Sequence, residues 1–250
     1  MIKACGLTCR YGAFTAVDGL NFEVRPGEVL GFLGPNGAGK TTTLRMLAGF
    51  ITPSAGHASI CGHDVVTDAL RARAALGYLP EGAPAWDEMK VHDFLRFIAG
   101  LRGLARPRER LDTVVARLQL ESVLEQSIDT LSKGFRRRVG LAQAILPDPP
   151  VLLLDEPTDG LDPNQKHEVR SLIRELARDK IIMVSTHILE EVEAVCSRAI
   201  IIARGRIVAD DTPQGLLDQA GNPPGGLDAV FRGITTAAST PTAAISGGTP

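Results

Sequence analysis

The chain has 250 residues, 44% hydrophobic and 22% charged, with 27 basic against 29 acidic side chains and a net charge of −2. That is long enough for one or two packed domains, and so balanced a charge argues against a general nucleic-acid binder, leaving room only for a local basic patch. Four scattered cysteines (Cys5, Cys9, Cys61, Cys196) without a C-x-x-C pair suit reduced thiols rather than a zinc site or a disulfide framework.

In chain order, Ile2–Cys9, Leu20–Val24 and Val29–Leu33 read as short strands, the last two separated by Arg25-Pro26-Gly27. The start, MIKACGLTCRYG, lacks the apolar run of a signal peptide. Directly after the third strand, Gly34-Pro35-Asn36-Gly37-Ala38-Gly39-Lys40-Thr41 fits G-x-x-x-x-G-K-[ST] and leads into an amphipathic helix carrying Leu44, Leu47 and Ala48. Glycines let backbone N–H groups converge on one point, and a helix N-terminus adds partial positive charge there, so this segment is a phosphate cradle. Lys40 can reach the β- and γ-phosphates, and the Thr41 hydroxyl is placed to ligate Mg²⁺.

Between about 84 and 146 no strand is evident, and Val91–Leu101 and Arg108–Leu118 carry helical periodicity. A helix opens after Ser132, with Phe135, Val139, Ala142 and Leu146 along one face and Arg136–Arg138 at the start of a solvated side. Ser132 suits its N-cap.

Val151–Leu154 is an apolar run closing on Asp155 and Glu156. Alone, such an acid pair is most often a solvated strand end. Beside a phosphate cradle it becomes functional, because ligands in open α/β sheets sit beyond the carboxyl ends of the strands. Neighbouring strand residues point to opposite faces, which gives the two acids different tasks: Asp155 to hold Mg²⁺ and Glu156 to act as general base toward water. Gln165–Ala177 and Leu189–Val195 read as helices alternating with the strands Ile181–Ser185 and Ala199–Ala203, the signature of parallel βαβ units. His187 ends the middle strand of this set and is assigned to the γ-phosphate. No apolar run approaches the length of a membrane span, and the chain reads as a soluble cytosolic protein.

After Gly221 the cluster Asn222-Pro223-Pro224-Gly225-Gly226 breaks the pattern, and from Gly233 to Pro250 there is no charge. Residues 221–250 are therefore expected to be a flexible low-complexity tail.

Taken together, these motifs resemble the ATP-binding-cassette (ABC) ATPases. Leu131-Ser132-Lys133-Gly134-Phe135 resembles the family signature LSGGQ, and Asp155-Glu156-Pro157-Thr158 with Gly160-Leu161-Asp162 is similar to the Walker-B extension and D-loop. The resemblance runs over about residues 1–220. It implies an α/β fold: a RecA-like P-loop NTPase core with an N-terminal antiparallel β subdomain and a helical insertion. It implies ATP and Mg²⁺ as cofactors. Nucleotide contacts would come from Tyr11 (stacking on adenine), Gly34, Pro35, Asn36, Gly37, Ala38, Gly39, Lys40, Thr41, Thr42, Glu81, Ser132, Lys133, Gly134 and Asp162, and metal contacts from Thr41, Asp155 and Glu81, with Glu156, His187 and Lys40 catalytic. Glu81 stands where the family usually has Gln, which removes an amide donor and adds charge. The resemblance further implies a head-to-tail dimer or paired ATPase subunit with ATP between one phosphate loop and the partner's signature. The membrane permease subunits would be separate chains, the chain would sit on the cytoplasmic face of the membrane, and no nucleic-acid partner is expected. Gly77-Tyr78-Leu79-Pro80-Glu81, Leu131-Ser132-Lys133-Gly134-Phe135 and Val139-Gly140-Leu141-Ala142-Gln143 are similar to the ABC-2-type exporters, including the gliding-motility and multidrug-export kinds.

Overall fold

The computed structural model describes the backbone of residues 1–239, with side chains to Thr236. Two sheets form the frame. The first is antiparallel in the order β2-β1-β4-β5, from β1 (Ile2–Tyr11), β2 (Phe14–Val24), β4 (Ala55–Ile60) and β5 (His63–Asp64). The second runs β10-β9-β3-β8-β7-β6, from β3 (Val29–Leu33), β6 (Leu76–Leu79), β7 (Val151–Asp155), β8 (Ile181–Thr186), β9 (Arg198–Ala203) and β10 (Arg206–Asp211). All its pairings are parallel except the β9–β10 hairpin.

The central strands read as unbroken apolar runs because both of their faces are covered. Every residue of β3, β7 and β8 is buried. One core lies between the two sheets and holds Phe22, Phe32, Leu44 and Met183. A second fills the space between the parallel sheet and the helical insertion, with Phe94, Val139, Leu154 and Ile173. The insertion is built from α3 (Val91–Leu101), α4 (Pro107–Leu118) and α5 (Lys133–Ile145). The remaining helices are α1 (Lys40–Leu47), α2 (Ala69–Ala74), α6 (Pro163–Leu176), α7 (Leu189–Val195), α8 (Pro213–Gln219) and α9 (Gly226–Ser239).

Two expectations are corrected. Arg137 and Arg138 are buried, at 4% and 7% exposure, not solvated. Arg138 lies over the Phe135 ring and pairs with Glu168 at 3.3 Å. Arg137 donates to the Pro80 carbonyl at 3.3 Å, and Arg136 to Ile128 and Asp129. The helix is packed on more than one face, so its cations bury their stems and bond carbonyls. The second correction concerns the tail. Residues 226–239 form α9, whose Leu227, Val230, Phe231 and Ile234 recur at helical spacing and pack on Leu33, Val192, Ile201 and Leu216. The rest of the expected tail, 240–250, lies outside the described residues.

Candidate nucleotide-hydrolysis site

The phosphate loop leaves the carboxyl end of β3 and enters α1 at Lys40. Gly39 is the N-cap with φ 105°, and a Cβ there would stand 2.6 Å from the Ala16 carbonyl oxygen. Only glycine tolerates both the backbone angle and the close approach. With no side chain capping α1, its first-turn N–H groups stay open to an anion. Lys40 is 7% exposed, and its Nζ donates to the Gly34 and Pro35 carbonyls at 2.7 and 3.3 Å. Burial lowers its pKa, opposed by Glu156, Asp155 and Glu81. Thr41 and Thr42 lie half-buried in the same turn. Tyr11, 52% exposed, lies beside it, close to Thr42; the Cys9 thiol and then burial hold its phenol above the usual range.

Asp155 and Ser185 are register partners at the ends of β7 and β8. The Ser185 hydroxyl donates to Asp155 Oδ1, while Asp155 Oδ2 is buried without a partner. Glu156 turns away at φ 52°, a costly angle for a non-glycine residue, fixed in part by its N–H bond to the Ser185 carbonyl at 3.0 Å. Its Oε1 lies 2.8 Å from His187 Nδ1, and its Oε2 is buried and unpartnered. Two carboxylate oxygens are thus held out of water beside a buried cation with no protein donor to satisfy them. Among the described residues no cluster of three His, Cys, Asp or Glu forms a self-contained metal site. The Asp155 oxygen, with the Thr41 hydroxyl, suits Mg²⁺, which is bound through one or two carboxylates and completes its shell with phosphates and water.

Glu81 is exposed and close enough to act electrostatically on Lys40 and Arg137. The start of α5 faces the segment after β7 instead. Ser132 caps the helix by accepting from Phe135 N–H at 3.3 Å. Lys133 pairs with Asp159 at 2.9 Å, an interaction that holds the Asp159 carboxyl below its usual range. Gln165 lies over Gly134, and Asp162 caps α6 by accepting from Gln165 N–H at 2.9 Å. Within one chain, then, Tyr11, the loop from Gly34 to Thr42, Glu81, Asp155, Glu156 and His187 gather around one site. The contacts of Ser132, Lys133, Gly134 and Asp162 belong to a second patch. Sequence reasoning missed Ser185 and Arg137. Arg137 feels Asp159, Asp155, Glu156 and Glu81, and burial lowers its pKa; no local pattern marks an arginine inside a triple-arginine run as buried.

A phosphate loop between parallel strands, facing an acid pair at the end of the strand two places along, defines a P-loop nucleotide hydrolase with a helical insertion. The comparisons narrow the class. The family described as "ABC transporter" matches residues 17–159, more than half of the chain. The "Nod factor export ATP-binding protein I" of Paraburkholderia xenovorans is 42% identical over 210 residues, covering 83% of this chain and 69% of that protein. A solved "Structure of ATP binding subunit of ABC transporter" superposes with a TM-score of 0.87 at 30% identity, over 94% of this chain and 99% of the other. A dimeric post-hydrolysis state of the cassette MJ0796, bound to ADP and Pi, shares the fold with a TM-score of 0.79 at 21% identity, over 85% of this chain and 98% of the other. The chain belongs to the ABC transporter family, as an ATP-binding and ATP-hydrolysing member.

Proposed function

We propose that this chain hydrolyses ATP to drive export through membrane subunits supplied by other chains. In this reading Gly34–Gly39 and the α1 N-terminus cradle the phosphates, with Lys40 on the β- and γ-phosphates, Thr42 beside it and Tyr11 on adenine. Thr41 and Asp155 would hold Mg²⁺, with Glu81 as a further oxygen ligand that adds charge. The ion, when bound, neutralises phosphate charge. Glu156 accepts a proton from the attacking water, and His187 positions the γ-phosphate. The observation that carries this reading is the unpartnered buried oxygen on each of Asp155 and Glu156, next to Lys40.

Ser132, Lys133, Gly134 and Asp162 have contacts away from their own phosphate loop, which supports their service to a partner's ATP in a head-to-tail dimer. A cassette of the same fold is dimeric, and the name of a relative 42% identical, "Nod factor export ATP-binding protein I", supports export as the direction. For the permease, a groove of about 840 Å³ lies between the core and the insertion, lined by the exposed Phe50, Leu70, Trp86 and Leu101. Exposed apolar side chains grouped in this way mark a protein contact. No described helix is long and apolar enough to cross a membrane. In this reading the groove is where the chain meets the permease on the cytoplasmic membrane face.

The test uses Glu156→Gln, which preserves shape but cannot take a proton. Turnover should fall about 10²–10⁴-fold, and ATP should accumulate in a dimer visible by light scattering. Adding Ser132→Phe should abolish the dimer while sparing ATP binding by the monomer. Near-normal turnover removes Glu156 as base; a dimer indifferent to the Ser132 change refutes the sandwich.

A further inference from the structure

The segment presenting His187 is held from behind by a buried carboxyl group. Glu191, in the first turn of α7, is 2% exposed. Its Oε2 accepts from the Thr186 hydroxyl at 2.9 Å. Thr186, fully buried, accepts in turn from the Ile188 N–H at 3.0 Å. Thr186 and Ile188 flank His187, so one side chain fixes the residues on both sides of it. The imidazole itself stays 54% exposed and meets Glu156 at 2.8 Å.

Packing does not explain the choice of a carboxyl here. Burying such a group is costly, and Glu191 Oε1 accepts no hydrogen bond. The charged groups facing it are Arg170 and Lys166 from α6 and Glu156 from beyond β7; the Cys196 thiol, held near 12 by burial, is also close enough to feel it. Leucine would fill the same space without the penalty. What leucine lacks is an acceptor for the Thr186 proton, and that acceptance turns a Thr186 lone pair toward Ile188. An acceptor bonded to a hydroxyl that is bonded to a backbone N–H is a chain of fixed direction, and its end point is the orientation of His187.

We propose that Glu191 is a positioning residue for ATP hydrolysis, acting through the Thr186 hydroxyl and the Ile188 N–H to aim His187 at Glu156 and the γ-phosphate. This rests on the reading of His187 given under Proposed function.

The experiment is a double-mutant cycle on the full chain, measuring kcat and ATP affinity for Glu191→Ala, Thr186→Val and His187→Ala, singly and combined. Glu191→Ala and Thr186→Val should each lower kcat about ten- to a hundredfold, the scale of a misplaced catalytic group, with ATP affinity within about twofold. Neither should lower it further once His187 is alanine. Glu191→Gln, whose amide oxygen can accept from Thr186, should restore most of the turnover. The His187 imidazole NMR resonances should move in Glu191→Ala and stay in place in Glu191→Gln. A loss that repeats in the His187→Ala background overturns the proposal, as does full turnover in Glu191→Ala. Should Glu191→Ala fail to fold, Thr186→Val and Glu191→Gln decide alone: His187-independent loss, or full activity in Thr186→Val, overturns it. Normal turnover in His187→Ala would instead remove His187 from the mechanism, a separate failure of the underlying reading.

Discussion

Replacing Lys40 by methionine tests whether nucleotide affinity depends on one buried cation. Methionine keeps most of the side-chain volume, so the cradle need not collapse. In the free chain the change loses bonds to Gly34 and Pro35 but also removes a desolvated charge. These effects oppose each other, and the fold should persist. With ATP bound, Asp155, Glu156 and Glu81, the acids that act on Lys40, would face the phosphates without it. Truncating one partner of such a charge pair costs about 2–5 kcal/mol, a thirtyfold to several-thousandfold weaker affinity. The assay is the melting temperature with and without MgATP. At a hundred times its dissociation constant, ATP stabilises the parent by about 2.7 kcal/mol; a hundredfold weaker variant keeps about 0.4 kcal/mol at the same concentration. For a chain of this size these correspond to shifts of about 5–11 °C and about 1 °C. Equal shifts in the two proteins would refute the assignment of Lys40 to the phosphates.

Removing everything after Gly225 should lower the melting temperature and promote association, because Leu227 and Val230 are 2% and 4% exposed and cover Leu33 and Ile201. Two such side chains are worth about 3–6 kcal/mol before the cost of ordering the helix, and an unchanged melting curve would show that α9 adds nothing. Glu191→Gln should stabilise the chain in a pH-dependent way. Burial raises the Glu191 pKa from its ordinary 4.5, so the stability of the neutral form is complete below that value and is lost as pH rises through the raised one. The melting-temperature gap between variant and parent should therefore be small near pH 4 and widen toward pH 8; a gap constant with pH would refute this.

Elements buried on both faces were legible in the sequence. Val29–Leu33 is observed with the ends expected of it, Ile181–Thr186 extends by one residue, and Val91–Leu101 and Leu189–Val195 form helices over the anticipated residues. The first hairpin is longer than its apolar residues suggest, since β2 begins at Phe14 through the polar and small stretch before Leu20. β4 (AGHASI) has no apolar alternation to announce it. The β9–β10 hairpin turns on Arg204 and Gly205, both at positive φ, where Asn-Gly or Asp-Gly is the usual signal. In α9 the apolar stripe is diluted by Gly, Thr and Ala, so composition concealed a docked helix. At the site, the phosphate loop and acid pair are contiguous motifs and therefore readable. Arg137 and Glu191 are not, because only the tertiary packing removes their charges from water.

The position of β3 also constrains how the protein comes into being. It pairs with β8 and β9, about 150 residues or more further along the chain. At about 5–20 residues per second of synthesis, that interval is roughly 8–30 s. Throughout it the strand that ends in the phosphate loop has emerged but lacks both neighbours. The strand leading into the phosphate loop therefore gains both of its sheet neighbours only when the last third of the chain arrives. In the meantime an apolar strand waits unpaired on the nascent chain, which makes the newborn protein more dependent on chaperone cover than the finished one.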